Sequence, residues 1–502
     1  MNAEQTVSVD QAILADIRKR WEIGDLHWPW LLSPCTVRIL FYADFPGAYN
    51  NGGFDGLKEV IATLNADPYY WVRFEISLAN RTNDPSADAD KRNKTLDQLD
   101  LANKYDELWL FGFFGLPSVL SQDEIAAVEA FMNNGGGVLV TGDHEDLGAA
   151  VASEIPRVGR LRRWSPAPSQ SGLDRHSTLR AGPTPGFVFE DQSDDVPQAI
   201  RLREYPLSSF PFWHRRSMPH PVMCGPDGPI RVLPDHMHEG EVIVPANLPT
   251  NEWPSVGGIQ LQPEIVAWAT IVEPGLDKTN QEFGVVGVYD GHPANVGRIG
   301  ADATWHHWFD INLIGDNGLV GGGTGFNAST SGQAALKQIE AYFLNLAVWL
   351  APPHSQACMR NRLWWGSLWR DPLFMFPPDT PVMILGEQAR DALGKHAPQC
   401  TIIRWIFDLF PIEFRPRFLE VFDLPRPGPP FLEESVLGAA LQPLLAEARE
   451  RGPEFAERVE EDEVDRLLDD AFARAVPTGL RASLGLLDDS RENALELVRM
   501  VE

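Results

Sequence analysis

The chain has 502 residues, 44% of them hydrophobic, which is enough to fill the cores of two or three domains. Its 42 basic and 70 acidic residues give a net charge of −28, which argues against nucleic acid or an anionic membrane as a partner, because like charges repel. The N-terminus lacks the apolar core of a signal peptide and no run approaches roughly 18 apolar residues, so a cytoplasmic protein without membrane contact is expected.

The four cysteines lie far apart along the chain: Cys35, Cys224, Cys358 and Cys400. They form no Cys-x-x-Cys pair, and their spacing indicates neither a zinc ribbon nor a disulfide framework. Reduced thiols, as in a cytoplasmic protein, are therefore expected.

Residues 1–35 are predicted to be an N-terminal helical extension. The first strand follows over Thr36–Tyr42 and opens into the loop ADFPGAYNNGGF. This loop has no Gly-x-Gly-x-x-Gly pattern and no Walker lysine, so no nucleotide cofactor is expected. Three of its polar residues are candidates for binding a small-molecule substrate: Asp44, Asn50 and Asn51. A second strand is predicted over Trp71–Leu78.

The clearest local signals lie between Tyr105 and Gly148. Apolar runs at Leu108–Phe113 and Val138–Thr141 are typical of buried parallel strands. Between them, Ser121 and Glu124 form a capping box that begins a helix, which a run of three glycines ends. A strand, a crossover helix and a second strand predict a βαβ unit.

Candidate chemistry lies in the loops that follow these strands, since ligands of open α/β sheets bind beyond the carboxyl ends of the strands. The loop after the second strand of the unit carries four ionisable residues: Asp143, His144, Glu145 and Asp146. Asp44, the loop that contains Phe114, and this acidic loop follow three different strands. Sheet topology predicts that they share one cleft, with Phe114 as a further substrate-binding candidate.

Residues 149–260 are predicted to be a loop-rich insertion. Within it, His236 and His238 occupy alternate positions, which on an extended backbone point to the same side and could ligate one ion, with Glu239 nearby. The alternative is that these are exposed loop residues that hydrogen-bond locally. The basic segment Arg157–Arg163 is expected to be a solvated loop.

The second half of the α/β region contains three further predicted strands: Ile265–Val272, Phe283–Tyr289 and Arg298–Ala301. His306 and His307 follow the last of them at a helix start. Neighbouring helical residues diverge by about 100°, so at most one of the two histidines is expected to face a given site. A long helix is predicted over Ser331–Leu350.

A domain boundary is expected after residue 350. It would separate an α/β domain over residues 36–350 from a mainly helical region over residues 351–502. The plainest helices of that region are predicted over Val436–Arg451 and Glu457–Ala475. Three tryptophans either form a surface for a protein partner or pack in the core: Trp364, Trp365 and Trp369.

The run ELWLFGFFG, followed by LSQDEIAAVEAFMNNGGGVLVTGDHE, resembles the class I glutamine amidotransferase-like superfamily, and in particular its ThuA-like branch. The resemblance covers roughly residues 36–350 and implies a flavodoxin-like three-layer α/β sandwich with a mainly parallel sheet. Members that hydrolyse glutamine carry a cysteine in a Gly-x-Cys-x-Gly turn, which the segment from Thr141 to Glu145 replaces with TGDHE. Without that cysteine, glutamine hydrolysis is not expected.

Three functions stay open. The first is a metal-assisted hydrolase for a small amide, ester or sugar-derived substrate, using zinc, manganese or iron. The expected metal ligands are Asp143, His144, Asp146, His236, His238 and His306. Glu145 and Glu239 are the carboxylates expected to take the proton from the metal-bound water.

The second function is a non-catalytic ligand-binding or interaction scaffold, whose helical C-terminal region docks a protein partner. The third uses His144 to activate the Thr141 hydroxyl without a metal. Histidines and carboxylates clustered at three strand ends favour the enzyme.

Overall fold

The structure is a computed structural model that describes most of the chain. The described residues are 33–46, 49, 56–66, 70–84, 89–143, 146–164, 198–207, 216–234, 240–270, 282–315, 325–370, 373, 376–377, 379–410, 431–451 and 459–501. Residues 1–32 of the predicted N-terminal helical extension lie outside them.

The strands in chain order are β1 Cys35–Ala43, β2 Val72–Asn80, β3 Glu107–Phe111, β4 Gly137–Thr141, β5 Gln198–Leu202, β6 Glu204–Leu207, β7 Arg216–Pro219, β8 Cys224–Gly225, β9 Gly228–Pro229, β10 Val232–Leu233, β11 Ser255–Val256, β12 Ile259–Gln260, β13 Glu264–Thr270, β14 Glu282–Tyr289 and β15 Ile299–Asp302. Nine of them form one sheet in the order β10-β5-β13-β14-β15-β4-β3-β1-β2. The strands predicted from the sequence all belong to this sheet.

One half of the sheet is parallel. β2, β1, β3, β4 and β15 pair side by side in the same direction. Counted along the chain, this is the order 2-1-3-4-5 of flavodoxin-like folds. The other half, formed by β14, β13, β5 and β10, is antiparallel. The predicted α/β class is thus confirmed, with a mixed sheet that the antiparallel strands extend.

The helices are α1 Lys58–Leu64, α2 Leu101–Lys104, α3 Gln122–Asn133, α4 Ala149–Ala152, α5 Asp310–Leu313, α6 Thr330–Leu350, α7 Pro353–Arg370, α8 Val382–Leu393, α9 Gln399–Asp408, α10 Leu432–Arg451 and α11 Glu461–Val501. All regular elements described beyond α6 are helices, which confirms the predicted helical C-terminal region. In the described part of the chain, no helix is both long and apolar enough to cross a membrane.

The capping box that begins α3 is confirmed. Ser121 Oγ accepts the Glu124 backbone N–H at 3.2 Å, and Glu124 Oε2 accepts the Ser121 backbone N–H at 2.9 Å. Arg81, which follows β2, binds the same carboxylate through both of its terminal nitrogens. The start of the crossover helix is thereby tied to the neighbouring strand.

Aromatic packing joins the sheet to the long helix α6. Trp109 on β3 stacks on Phe41 of β1 at a ring separation of 5.0 Å, and its edge meets Trp308. Trp308 in turn stacks on Phe343 of α6 at 5.0 Å. A Cβ added to Gly300 of β15 would lie 2.9 Å from a Leu346 methyl group, so helix α6 packs closely on the strand at this glycine.

Two of the three C-terminal tryptophans pack in the core. Trp364 and Trp365 are both buried, and the Trp364 ring meets the edge of Phe472 at 5.3 Å. The side chain of Trp369 lies outside the described residues. For Trp364 and Trp365 the core interpretation is therefore correct.

The expectation of reduced thiols is wrong in this structure. Cys35 pairs with Cys358 and Cys224 pairs with Cys400, with Cα separations of 6.1 and 6.2 Å that suit a disulfide. The partners are 323 and 176 residues apart in sequence, so no spacing rule could pair them. Each bond joins the α/β part to a helix of the C-terminal region. The argument from thiols for a cytoplasmic location therefore loses its basis.

Because each disulfide closes a long loop, its reduction should destabilise the folded chain by about 2–4 kcal/mol. We expect a lower thermal midpoint in reductant and in the double variant Cys35→Ala/Cys358→Ala, measured by scanning calorimetry. Four thiols that react with a thiol reagent in the folded, unreduced protein would contradict the pairing.

Candidate functional site

The carboxyl ends of the parallel strands meet at one edge of the sheet. The strand order reverses between β1 and β3, and in flavodoxin-like sheets the crevice beyond such a switch point is where ligands bind. Asp44 follows β1, Gly112–Leu116 follow β3, Asp143 follows β4 and Thr304–His307 follow β15. The predicted site residues that the structure describes are thus drawn to one edge.

Asp44 holds the loop that follows β3. Its carboxylate accepts the backbone N–H groups of Phe113 at 2.8 Å and Phe114 at 3.1 Å. Burial raises the pKa of Asp44 to about 6, although these hydrogen bonds oppose the increase. Asp44 therefore fixes the backbone of the loop after β3 at the switch point. Its predicted role in substrate binding stays a prediction.

Stacked rings form one wall of the site. The Phe113 ring lies 3.7 Å from that of Phe45 and stacks on Trp305 at 4.0 Å. The Trp305 Nε1–H donates to the Gly112 carbonyl at 2.9 Å. Loops that follow β1, β3 and β15 are joined in this way, whereas the neighbouring Phe114 side chain is 56% exposed and available to a ligand.

Asp143 and His306 face each other across two strand ends. Asp143 Oδ2 lies 3.9 Å from His306 Nε2, and Asp143 Oδ1 lies 3.3 Å from the Thr304 hydroxyl that donates to it. The other ring nitrogen, His306 Nδ1, lies 2.8 Å from the amide nitrogen of Asn312 on α5. A buried carboxylate and an oriented imidazole are thus held together, and Thr304 and Asn312 had no distinguishing signal in the sequence.

His307 packs in the core and does not face the strand ends. It is fully buried, and its Nδ1 lies 2.7 Å from Asp302 Oδ1, while the Tyr342 hydroxyl donates to Asp302 Oδ2 at 2.7 Å. This settles the choice between the adjacent histidines: His306 faces the strand ends and His307 packs behind them.

Asp146 does not join Asp143 and His306. Its Oδ2 accepts the Leu116 backbone N–H at 2.7 Å. A Cβ on Gly115 would lie 2.5 Å from Asp146 Oδ1, so the β3 loop fits closely around this carboxylate. Asp146 therefore fastens the β3 loop to the β4 loop, and its role as a metal ligand is not supported by this geometry.

Arg162 lies directly behind the site, and the expectation that Arg157–Arg163 is a solvated loop is wrong. Arg162 is 1% exposed, its Nη2 donates to the carbonyls of Asp143 and of Ala303 (2.8 Å for the latter), and its guanidinium packs over the Trp164 ring at 4.5 Å. It therefore joins the β4 loop to the β15 loop. In the sequence it was one arginine of a basic run, with nothing to separate it from the exposed Arg160.

The described residues include only some of the predicted metal ligands. Within the part of the chain that the structure describes, no group of three or more histidine, cysteine, aspartate or glutamate side chains is arranged to hold a metal ion. Seven predicted site residues lie outside the described residues: Asn50, Asn51, His144, Glu145, His236, His238 and Glu239. Asp143 and His306 are the described donors that approach each other.

No family model matches the chain, and no curated protein matches it. Among solved structures, a protein from Parabacteroides merdae described as ThuA-like is 14% identical with a TM-score of 0.26, over 62% of this chain and 90% of that one. One from Bacteroides uniformis, also described as ThuA-like, is 12% identical with a TM-score of 0.24, over 63% and 92%. Both descriptions name the branch that the central motif resembles. TM-scores of this size establish neither a shared fold nor an activity.

The raised pKa of Asp44 predicts a pH-dependent stability. A folded-state pKa of about 6, above the usual 3.8, means that the folded chain binds this proton more tightly than the unfolded chain. The wild type should lose about 2–3 kcal/mol through this group as the pH rises from about 4 to 7. Asp44→Asn should lack that loss, so urea unfolding should increasingly favour the variant as pH rises. The exposed control Asp123→Asn should show no such trend, and a difference between Asp44→Asn and wild type that is independent of pH would contradict the assignment.

Arg162→Met should destabilise the protein by about 2–4 kcal/mol, because two buried carbonyls would each lose a donor. The matched control is Arg160→Met, since Arg160 is 63% exposed, and its effect should stay within about 0.5 kcal/mol. Urea unfolding measures both, and equal effects would show that Arg162 does not join the loops.

Proposed function

We propose that this chain is a hydrolase for a small amide, ester or sugar-derived substrate, with its chemistry centred on Asp143 and His306. The observation that supports this is the approach of Asp143 Oδ2 to within 3.9 Å of His306 Nε2 at the carboxyl edge of the parallel strands. A carboxylate beside an imidazole provides a proton acceptor and a hydrogen-bond donor at one point. The departure from the amidotransferase turn fits this, because the segment TGDHE, which contains Asp143, replaces the turn that carries the cysteine in that family.

The surroundings support a separate role for each group. In the proposed arrangement the Asn312 amide donates to Nδ1, so that the His306 proton is on Nε2, the nitrogen that faces Asp143. An imidazole with this tautomer can donate to a substrate carbonyl oxygen. Thr304 and the backbone contacts of Arg162 hold Asp143 in place, and in the proposed reaction its carboxylate accepts a proton from water.

The proposed reaction at an acyl bond uses one water molecule. The water oxygen bonds to the carbonyl carbon while its proton passes to Asp143. The negative charge that develops on the carbonyl oxygen is stabilised by the His306 Nε2–H. The bond from carbon to the leaving nitrogen or oxygen then breaks, and the proton held by Asp143 passes to the leaving group.

The metal-assisted form of this proposal keeps Asp143 and His306 as ligands and needs at least one more. Candidates of the right type are His144, His236 and His238, with Glu145 and Glu239 as proton acceptors. When bound, a divalent ion lowers the pKa of its water to about 7. Among the described residues, Asp143 and His306 supply only two of the ligands that such an ion needs.

The test is a hydrolysis screen with ester, amide and sugar-derived substrates on the full chain, with Asp143→Asn and His306→Gln. Each variant should lower kcat at least about 100-fold, since positioned acid–base groups contribute on the order of 10²–10⁴. The controls are Asp123→Asn and His354→Gln, whose parent side chains are exposed and remote. Activity retained in both site variants would overturn the proposal.

Elemental analysis of protein purified without chelator separates the two forms. About one divalent ion per chain, lost in His306→Gln and in His236→Ala, supports the metal-assisted form. Activity that survives chelation, in protein without metal, supports the metal-free form.

A second function is favoured by a separate observation at the same edge. Beside the site, Phe114, Leu116 and Val119 expose 56%, 47% and 47% of their surfaces, which forms an apolar patch such as a partner would cover. If a correctly folded chain hydrolyses none of the substrates, we propose instead a non-catalytic scaffold. Phe114→Ser should then weaken binding of its partner.

A further inference from the structure

A polar pocket lies at the edge of the sheet opposite to Asp143 and His306, where α7 and α9 pack against the ends of β14 and β15. Its volume is about 220 Å³. The polar residues that line it are Asp290, His292, Arg298, Gln356, Arg360 and Asp408, and the Trp405 ring supplies an apolar wall. None of these residues was singled out from the sequence, because they come from three distant segments.

The two carboxylates of the pocket are already paired. Asp290 Oδ1 accepts Arg298 Nε–H at 2.9 Å, and Asp290 Oδ2 accepts from Arg404. Arg404 Nε–H also donates to Asp408 Oδ1 at 3.0 Å, and Arg298 Nη2 lies 3.9 Å from Asp408 Oδ2. These four side chains form a compensated network that fastens α9 to the sheet, so neither aspartate calls for a bound cation.

Arg360 is less well compensated by charge: its Nε–H donates to the neutral Asn361 Oδ1 at 3.2 Å, and its guanidinium lies 4.6 Å from the centre of the Phe472 ring. Its closest ion pair is with Asp469 Oδ1 at 3.7 Å, on a side chain that is 70% exposed and screened by water. Asp408 and Asp465 attract it from farther away, but their carboxylates are hydrogen-bonded to Arg404 and Asn361. Burial lowers the pKa of Arg360, which shows that its charge has lost hydration. A bound anion would replace the favourable interaction with water that the guanidinium group loses on burial.

His292 provides an independent observation. Its Nε2 is buried and has no hydrogen-bond partner among the described residues. Burial and the charge of Arg298 lower the pKa of His292, so the ring is neutral and can carry a proton on Nε2. Buried polar groups are almost always hydrogen-bonded, so this nitrogen indicates a missing partner.

We propose that this pocket binds a small molecule with a phosphate or carboxylate group, held by Arg360 and by the His292 Nε2–H, with its apolar part against Trp405. The volume is below the roughly 300–1,000 Å³ of pockets for drug-sized ligands, so the ligand has only a few carbon atoms. Since Arg360 lies on α7 and His292 follows β14, such a ligand bridges the helical region and the α/β part.

Calorimetric titration of the full chain with inorganic phosphate, and separately with acetate, at constant ionic strength tests this. We expect saturable binding of at least one of them at one site per chain. Binding should weaken at least tenfold in Arg360→Gln and in His292→Leu. The matched control is Arg201→Gln, because Arg201 is an exposed arginine paired with Glu282 far from the pocket, and it should bind as the wild type does.

Binding of phosphate alone or of acetate alone identifies the anionic group. No saturable binding of either, or equal weakening in the Arg201→Gln control, would overturn the proposal. Arg360→Lys keeps the charge and should retain part of the affinity. Binding retained in this variant would show that the weaker binding of Arg360→Gln does not come from misfolding. Hydrolysis is not measured, so this result is independent of the function proposed above.

Discussion

The register of the parallel strands is the constraint on which the rest of the structure depends. Ala43, Phe111 and Thr141 lie side by side at the ends of β1, β3 and β4, so the next residue of each strand emerges at the same level. Hydrogen bonds between neighbouring backbones impose this alignment whatever the side chains are. Asp44 and Asp143 lie at the same edge of the sheet for that reason, although nearly a hundred residues separate them.

Arginine side chains connect the loops and the helix that lie at the two edges of the sheet. Arg162 holds the loops after β4 and β15 by donating to their carbonyls, and Arg298 and Arg404 fasten α9 to the sheet through Asp290. The chain has a net charge of −28, so cationic side chains are the minority of its charged groups, and several of them are used inside the fold. Overall charge describes the solvated surface, whereas these guanidinium groups act where carbonyls and carboxylates would otherwise be buried without partners.

The two candidate sites lie at opposite edges of one sheet and differ in chemistry. Asp143 and His306 occupy the carboxyl edge, where a switch point opens a crevice in folds of this class. The pocket of Arg360 and His292 occupies the other edge and is completed by the helical region. The disulfides Cys35–Cys358 and Cys224–Cys400 link that region to the α/β part.

Local sequence determined the elements and part of the site. Periodicity and capping identified β3, α3 and β4, because those signals act over a few residues, and they placed Asp143 and His306 at strand ends. Only the tertiary structure decided that His306 and not His307 faces Asp143, that Arg162 is buried, and that the cysteines pair. Each of these depends on contacts between residues far apart in the chain, and side-chain packing selects such contacts without leaving a local pattern.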